Sequence, residues 1–227
     1  MAEPFDPTPV FQAVDLGGVL ANGVLGGVLA RRLGFDAVGF VVLALISGLG
    51  GGMLRDTLLQ MGAPVALTNP AYLACALLGA LIAFLVDVRG RITRRGLLLA
   101  DALALGCWSA TGTSKALWVG LPWLSAILLG IVTAVGGGMI RDLVVREVPS
   151  VFGGTLYASV ALLASAWMAV ATWWQLPNIG MAGAIVLAAS MALAARRFGW
   201  HLPDATDLRA KIPRRRREGS AEPGSRP

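Results

Sequence analysis

The sequence predicts an all-α membrane protein with seven transmembrane helices, arranged as two inverted three-helix repeats plus a seventh helix. Three observations predict it. Of 227 residues, 56% are hydrophobic and only 14% charged, where a soluble domain carries roughly 25% charged residues. Apolar runs close to the ~20 residues needed to cross a hydrocarbon core recur along most of the chain. A set of residues, finally, repeats at one fixed interval.

Apolar runs between polar breaks place spans at 10–30, 37–61, 70–88, 96–115, 122–147, 153–174 and 178–196. The opening MAEPFDPTPVFQAVD holds Glu3, Asp6 and Asp15 but no Lys or Arg. That is unlike a cleavable signal peptide, so residues 1–9 are predicted as a short extracytoplasmic N-terminus. Past Arg196 the composition turns to Pro, Arg and Ser, with Arg214–Arg217 in a row. Residues 198–227 are predicted as a basic, disordered tail.

Lys and Arg in the short connections give the orientation. Arg31 and Arg32 follow the first span, Arg89, Arg91, Arg94 and Arg95 the third, Arg146 the fifth, and Arg196 and Arg197 the seventh. The intervening connections hold none beyond Lys115. The alternation predicts a multi-pass protein of inner-membrane type with the N-terminus outside and the C-terminus cytoplasmic. The net charge of +6 then reports topology rather than a nucleic-acid partner, and the tail would face anionic lipid.

The interval is 86 residues. It relates Asp15 to Asp101, Ser47 to Thr133, Gly50–Gly52 to Gly136–Gly138, Met53 to Met139, Arg55 to Arg141, and Asp56 to Asp142. A duplication follows, with repeats at 10–88 and 96–174. Three spans per repeat is an odd number, so the second repeat enters the membrane upside down, as in many transporters.

Each repeat carries GGGMxRD in its second span, as GLGGGMLRDTL and AVGGGMIRDLV. Each glycine weakens a helix by about 1 kcal/mol relative to Ala. One reading is therefore a kinked or partly unwound helix with freed carbonyls, tolerable at membrane depth only beside protein or water. The other is close helix packing. Ser47 and Thr133, one turn before the glycines, have hydroxyls suited to an opened backbone.

Arg55, Asp56, Arg141 and Asp142 are ionisable groups inside spans, where they face a cavity or a partner. At ~1.5 Å per residue, Asp15 lies as deep as Arg55, and Asp101 as deep as Arg141. Two pairs, Asp15–Arg55 and Asp101–Arg141, are predicted to flank the glycine zone. Asp56 and Asp142 directly follow an Arg, about a hundred degrees around the helix, and are expected to find other partners, or water. The alternative for these charges is an interfacial lock without a role in permeation.

Asn22, Ser109, Thr111, Thr113 and Ser114 are weaker polar signals, since such residues commonly bond their own helix or a neighbour. The seven tryptophans, Trp108 among them, read as interfacial anchors, and Gly26, Gly27 and Gly79 as packing positions. Cys75 and Cys107 fall inside spans and His201 beyond the last. No nucleophile–base pair or metal cluster emerges, so neither an enzyme nor a cofactor is predicted.

The duplicated GGGMxRD, the span count and the outside N-terminus resemble the bacterial branch of the trimeric intracellular cation (TRIC) channel family, over residues 10–196. Related sequences are also classed under a glycine transporter domain. The resemblance implies a homotrimer with a potassium-permeable pathway in each subunit and kinks at Gly50–Gly52 and Gly136–Gly138. From it come two functional expectations. One is a channel for monovalent cations, chiefly potassium, using carbonyl and carboxylate oxygens in place of water. The other is a secondary transporter of glycine or another small neutral amino acid.

Overall fold

The computed structural model describes residues 9–86, 90–152 and 156–200. The predicted tail beyond residue 200, His201, the first eight residues and Arg89 lie outside the described residues.

The chain is all-helical over these segments: α1 (Pro9–Arg32), α2 (Ala37–Leu59), a short α3 (Val65–Thr68), α4 (Pro70–Leu85), α5 (Arg91–Trp118), α6 (Trp123–Val144), a 3-10 turn (Ser150–Phe152), α7 (Tyr157–Trp173) and α8 (Pro177–Phe198). Four stretches are long and apolar enough to cross a bilayer: Gln12–Arg32, Ala37–Leu59, Trp123–Val144 and Pro177–Ala195. Helices α4 and α7 are as apolar but shorter. Helix α5 is the longest at 28 residues, and its ionisable side chains dilute its hydropathy. It begins earlier than the apolar run predicts, because Arg91, Arg94 and Arg95 belong to its first turns rather than to a connection. Helix α3 is likewise unforeseen, in a stretch that reads as a polar loop after Gly62 and Pro64.

Local chemistry fixes the ends. Asp36 caps α2 by accepting from the Gly39 N–H at 2.9 Å, and Asn69 caps α4 by accepting from Ala71 N–H at 3.0 Å, the usual use of short acceptor side chains at a helix start. Arg31 donates to the Ala83 and Phe84 carbonyls at 2.8 and 2.6 Å, closing the C-terminus of α4. The 86-residue interval persists in the turns. Gly34 and Gly120 both have positive φ, 72° and 91°, and so do Gln60 and Arg146, 52° and 61°.

Small residues let the helices approach. In lipid there is little hydrophobic drive between helices, so close backbone packing supplies the association. Along α1, a Cβ added at Gly26 would sit 2.8 Å from the Leu43 carbonyl carbon, and one at Gly79 of α4 would sit 2.8 Å from the Leu20 carbonyl oxygen. The predicted packing role of Gly26, Gly27 and Gly79 is thus served inside the bundle.

Equivalent helices of the two halves meet head to tail. On α1 and α5, Asp15 meets Trp108, Gly18 meets Ala104, and Asn22 shares a cavity with Asp101, so the pair is antiparallel. Helices α2 and α6 cross the same way at the glycine motifs. A Cβ on Gly137 would lie 2.6 Å from the Ser47 carbonyl oxygen, and one on Gly51 would strike the Thr133 carbonyl oxygen. Both helices run through their triple glycines without an unwound turn, which corrects the expectation of freed carbonyls. The glycines are spent on a backbone-to-backbone crossing, and that packing holds each helix in register despite its weak propensity.

Candidate pathway and its two charged ends

On either side of the glycine crossing lies a cavity with an Asp, an Arg and a Tyr in its wall. The first, of about 20 Å³, is lined by Asp15, Gly52, Arg55, Asp56, Tyr72 and Trp108 among others. The second, of about 200 Å³, is lined by Asn22, Leu25, Asp101, Gly138, Arg141 and Tyr157 among others.

At the first end, Asp15 projects from the opening turns of α1 and both its oxygens are engaged. The Tyr72 hydroxyl donates to Oδ2 at 2.5 Å and the Trp108 indole Nε1–H to Oδ1 at 2.6 Å. Arg55 shares the cavity wall with Asp15, as the depth count predicts, but pairs elsewhere: its Nε lies 2.8 Å from Asp56 Oδ1. Lys115 Nζ reaches the same Oδ1 at 2.8 Å, and the Val65 N–H donates to Oδ2 at 3.0 Å. Asp56 is 5% exposed and Arg55 6%. A carboxylate so placed is tolerable only because two cations and a backbone donor surround it.

At the second end, Tyr157 donates to Asp101 Oδ1 at 3.0 Å. Arg141 lies 2.7 Å from Asp142 Oδ1 through Nη2 and donates to the Ser47 hydroxyl at 3.3 Å. Here too the Arg lines the cavity beside its predicted partner, Asp101, and turns to the next residue instead.

The adjacent Arg–Asp pairs correct the expectation that neighbours on a helix cannot meet. The Cβ directions do diverge, but the long guanidinium stem curls back along the helix surface and closes the gap. Asp56 satisfies the other half of that expectation, since Lys115 and Val65 come from separate elements. The proposed layers Asp15–Arg55 and Asp101–Arg141 are therefore cavity neighbours, not ion pairs.

Ser47 and Thr133 are both buried. Thr133 donates to its own Leu129 carbonyl at 2.7 Å, while Ser47 receives Arg141. Neither supports an opened backbone. Thr111 and Thr113 bond the Cys107 and Ser109 carbonyls one turn back, the self-bonding expected of such residues.

Four participants escape the sequence reading: Tyr72, Tyr157, Trp108 and Lys115. The tyrosines are 85 residues apart, one short of the interval, so a fixed-step search passes over them. Trp108 reads as an interfacial anchor, a role that fits Trp123, Trp173 and Trp174, which are exposed. Trp108 itself is buried and bonded. Its place was marked all the same, because Asn22 stands 86 residues before it.

A family model described as "Glycine transporter" matches twice, at residues 12–87 and 98–173, and both ends of the match shift by the same 86 residues. A "UPF0126 membrane protein" of Deinococcus radiodurans is 37% identical over 84% of this chain and 89% of its own length. A solved structure bearing on conductance through TRIC cation channels superposes with a TM-score of 0.79 at 31% identity, covering 86% of this chain and 97% of that one. The TRIC trimeric intracellular cation channel orthologue from Rhodobacter sphaeroides gives 0.76 at 30% identity, over 84% and 98%. The chain belongs to the family described as Glycine transporter, as a multi-helix membrane protein with the fold of the TRIC cation channels.

Proposed function

We propose that the protein is a channel for monovalent cations, chiefly potassium, with one pathway inside each subunit of a homotrimer. The observation that carries this reading is the pair of Asp-bearing cavities in a single chain, one on each side of the α2–α6 crossing. In this reading α1, α2, α4 and α5, α6, α7 form inverted repeats within 10–88 and 96–174, and α8 (178–196 in the sequence reading) is the seventh span. The N-terminus and the Asp15 end face outward; the Asp101 end and the basic tail face the cytoplasm and its anionic lipid.

Arginines in a cation pathway pose an electrostatic problem, and the geometry answers it. Each is paired with the Asp that follows it, and Asp15 and Asp101 place a further carboxylate in the wall of each cavity. With the triple glycines fully helical, the lining is made of carboxylate and tyrosine oxygens rather than freed carbonyls. Such oxygens replace part of a cation's hydration shell.

The cavity at the Asp101 end favours one second reading. A carboxylate and a guanidinium facing the same space suit a zwitterion, as the family description suggests: Asp101 for the ammonium group of glycine and Arg141 for its carboxylate. Reconstitution in liposomes separates the two. The channel reading expects potential-driven potassium flux without counterflow of labelled glycine, with Asp101→Asn lowering the flux. Saturable glycine counterflow with negligible ion conductance would replace it with the transporter.

A further inference from the structure

The two cavities are built from equivalent positions of the two halves. Gly52 and Gly138, Arg55 and Arg141, and Val65 and Val151 line one cavity and the other at the 86-residue interval, and an Asp–Tyr bond is present in both. Among the positions that line both cavities, one changes in kind. It is Trp108 at the Asp15 end and Asn22 at the Asp101 end.

Because α1 and α5 are antiparallel, each of these residues stands across from the Asp of the other half. Trp108 spans the gap: its indole N–H reaches Asp15 at 2.6 Å and the residue is only 8% exposed. Asn22 does not reach across. Its amide donates to the Gly18 carbonyl of its own helix at 3.2 Å, and its cavity is the larger one, about 200 Å³ against about 20 Å³. A space of ~10–15 Å³ holds about one water, so the Asp15 end admits one or two waters and the Asp101 end a hydrated ion. Lys115, the other asymmetric residue, sits on Asp56 and is absent from the lining of the small cavity.

We propose that this one repeat-equivalent position decides which end of the pathway is shut: Trp108 is a plug latched by its indole N–H to Asp15, and Asn22 is the same position left open. The latch must release, and the ring swing away, before the Asp15 end conducts. This rests on the reading of the two cavities as one pathway, but not on what permeates it.

The test exchanges the two residues in liposomes. Trp108→Asn is expected to raise potassium flux about tenfold or more, the factor of one hydrogen bond to a charged group. Asn22→Trp is expected to lower it by a similar factor. Trp108→Phe keeps an aromatic ring and removes only the donor, so it tests the latch if Trp108→Asn does not fold; where the unsubstituted protein conducts potassium, increased flux supports the proposal and unchanged flux overturns it. A second readout is independent of the solute. Leu49→Cys, in the wall of the small cavity beside Trp108, should react faster with a small thiol reagent in the Trp108→Asn and Trp108→Phe backgrounds than with Trp108 intact. Absence of potassium flux in every variant together with faster Leu49→Cys labelling would discard the channel reading and keep the plug. Unchanged labelling in a folded variant would discard the plug.

Discussion

At the Asp15 end two cations, Arg55 and Lys115, converge on one buried carboxylate, and Trp108 and Tyr72 together occupy Asp15. The Asp101 end keeps the Arg–Asp pair and the Tyr–Asp bond but has Asn22 in place of the indole and Leu29 at the position equivalent to Lys115. The difference teaches that the two ends share the elements that make a charged cavity tolerable in a membrane and differ in those that, on the proposed reading, close it. A pathway with two identical gates needs both to open together. One with a tight and a wide end has a single step at which passage is decided.

The largest effect that separates the ends is expected from the buried carboxylates. Asp56→Asn leaves Arg55 and Lys115 facing each other without a counter-charge, and removing one member of a buried ion pair costs about 3–5 kcal/mol. Asp142→Asn is expected to cost less, because its Arg141 side chain is 15% exposed against 7% for Arg55. Thermal unfolding of the detergent-solubilised variants checks the order. Equal losses would contradict the tighter burial of the Arg55–Asp56 pair.

The glycine crossing sharpens the comparison from the other side, since there the two halves should behave alike. Gly51→Ala and Gly137→Ala each drive a methyl into a facing carbonyl oxygen and are expected to destabilise by about 1–3 kcal/mol, the usual cost of overpacking. At Gly52 and Gly138 the nearest atom to an added Cβ is an Arg nitrogen at 3.9 Å. Alanine there should be neutral or mildly stabilising, by up to ~1 kcal/mol of helix propensity. Losses at Gly52 and Gly138 as large as at Gly51 and Gly137 would revive an unwound helix.

Lys115→Met is the smallest of these changes. It removes one of two cations from Asp56 and keeps the Arg55 bond and an apolar stem, so a loss of about 1 kcal/mol, the order of one hydrogen bond, is expected. A larger loss in the same unfolding assay would mark Lys115, not Arg55, as the principal partner of Asp56.

Much of this was legible in the sequence because a motif written twice at one interval stands out from its background. The interval found the glycine motifs, the Arg–Asp pairs and the acids of both cavities, and depth counting put Asp15 beside Arg55 and Asp101 beside Arg141. What it missed follows from side-chain reach. Helical wheels describe where a Cβ points, not where a guanidinium ends, so the Arg55–Asp56 and Arg141–Asp142 contacts were invisible. Backbone propensity argued for a break at Gly50–Gly52. It could not weigh the gain from the α2–α6 crossing, which depends on residues 86 positions away. Tyr72 and Tyr157 slipped by one residue, and Trp108 was masked by the interfacial habit of its residue type.

The claim on which the rest depends is that the two cavities are mouths of one pathway opening to opposite sides of the membrane. Cysteine accessibility tests it most directly, in a background with Cys75→Ser and Cys107→Ala and with a membrane-impermeant cationic thiol reagent added to one face of oriented vesicles at a time. Ala66→Cys, in the wall of the Asp15 cavity, is predicted to react only from the outer face, and Leu25→Cys, in the wall of the Asp101 cavity, only from the cytoplasmic face. Reaction of both from the same face would contradict the account.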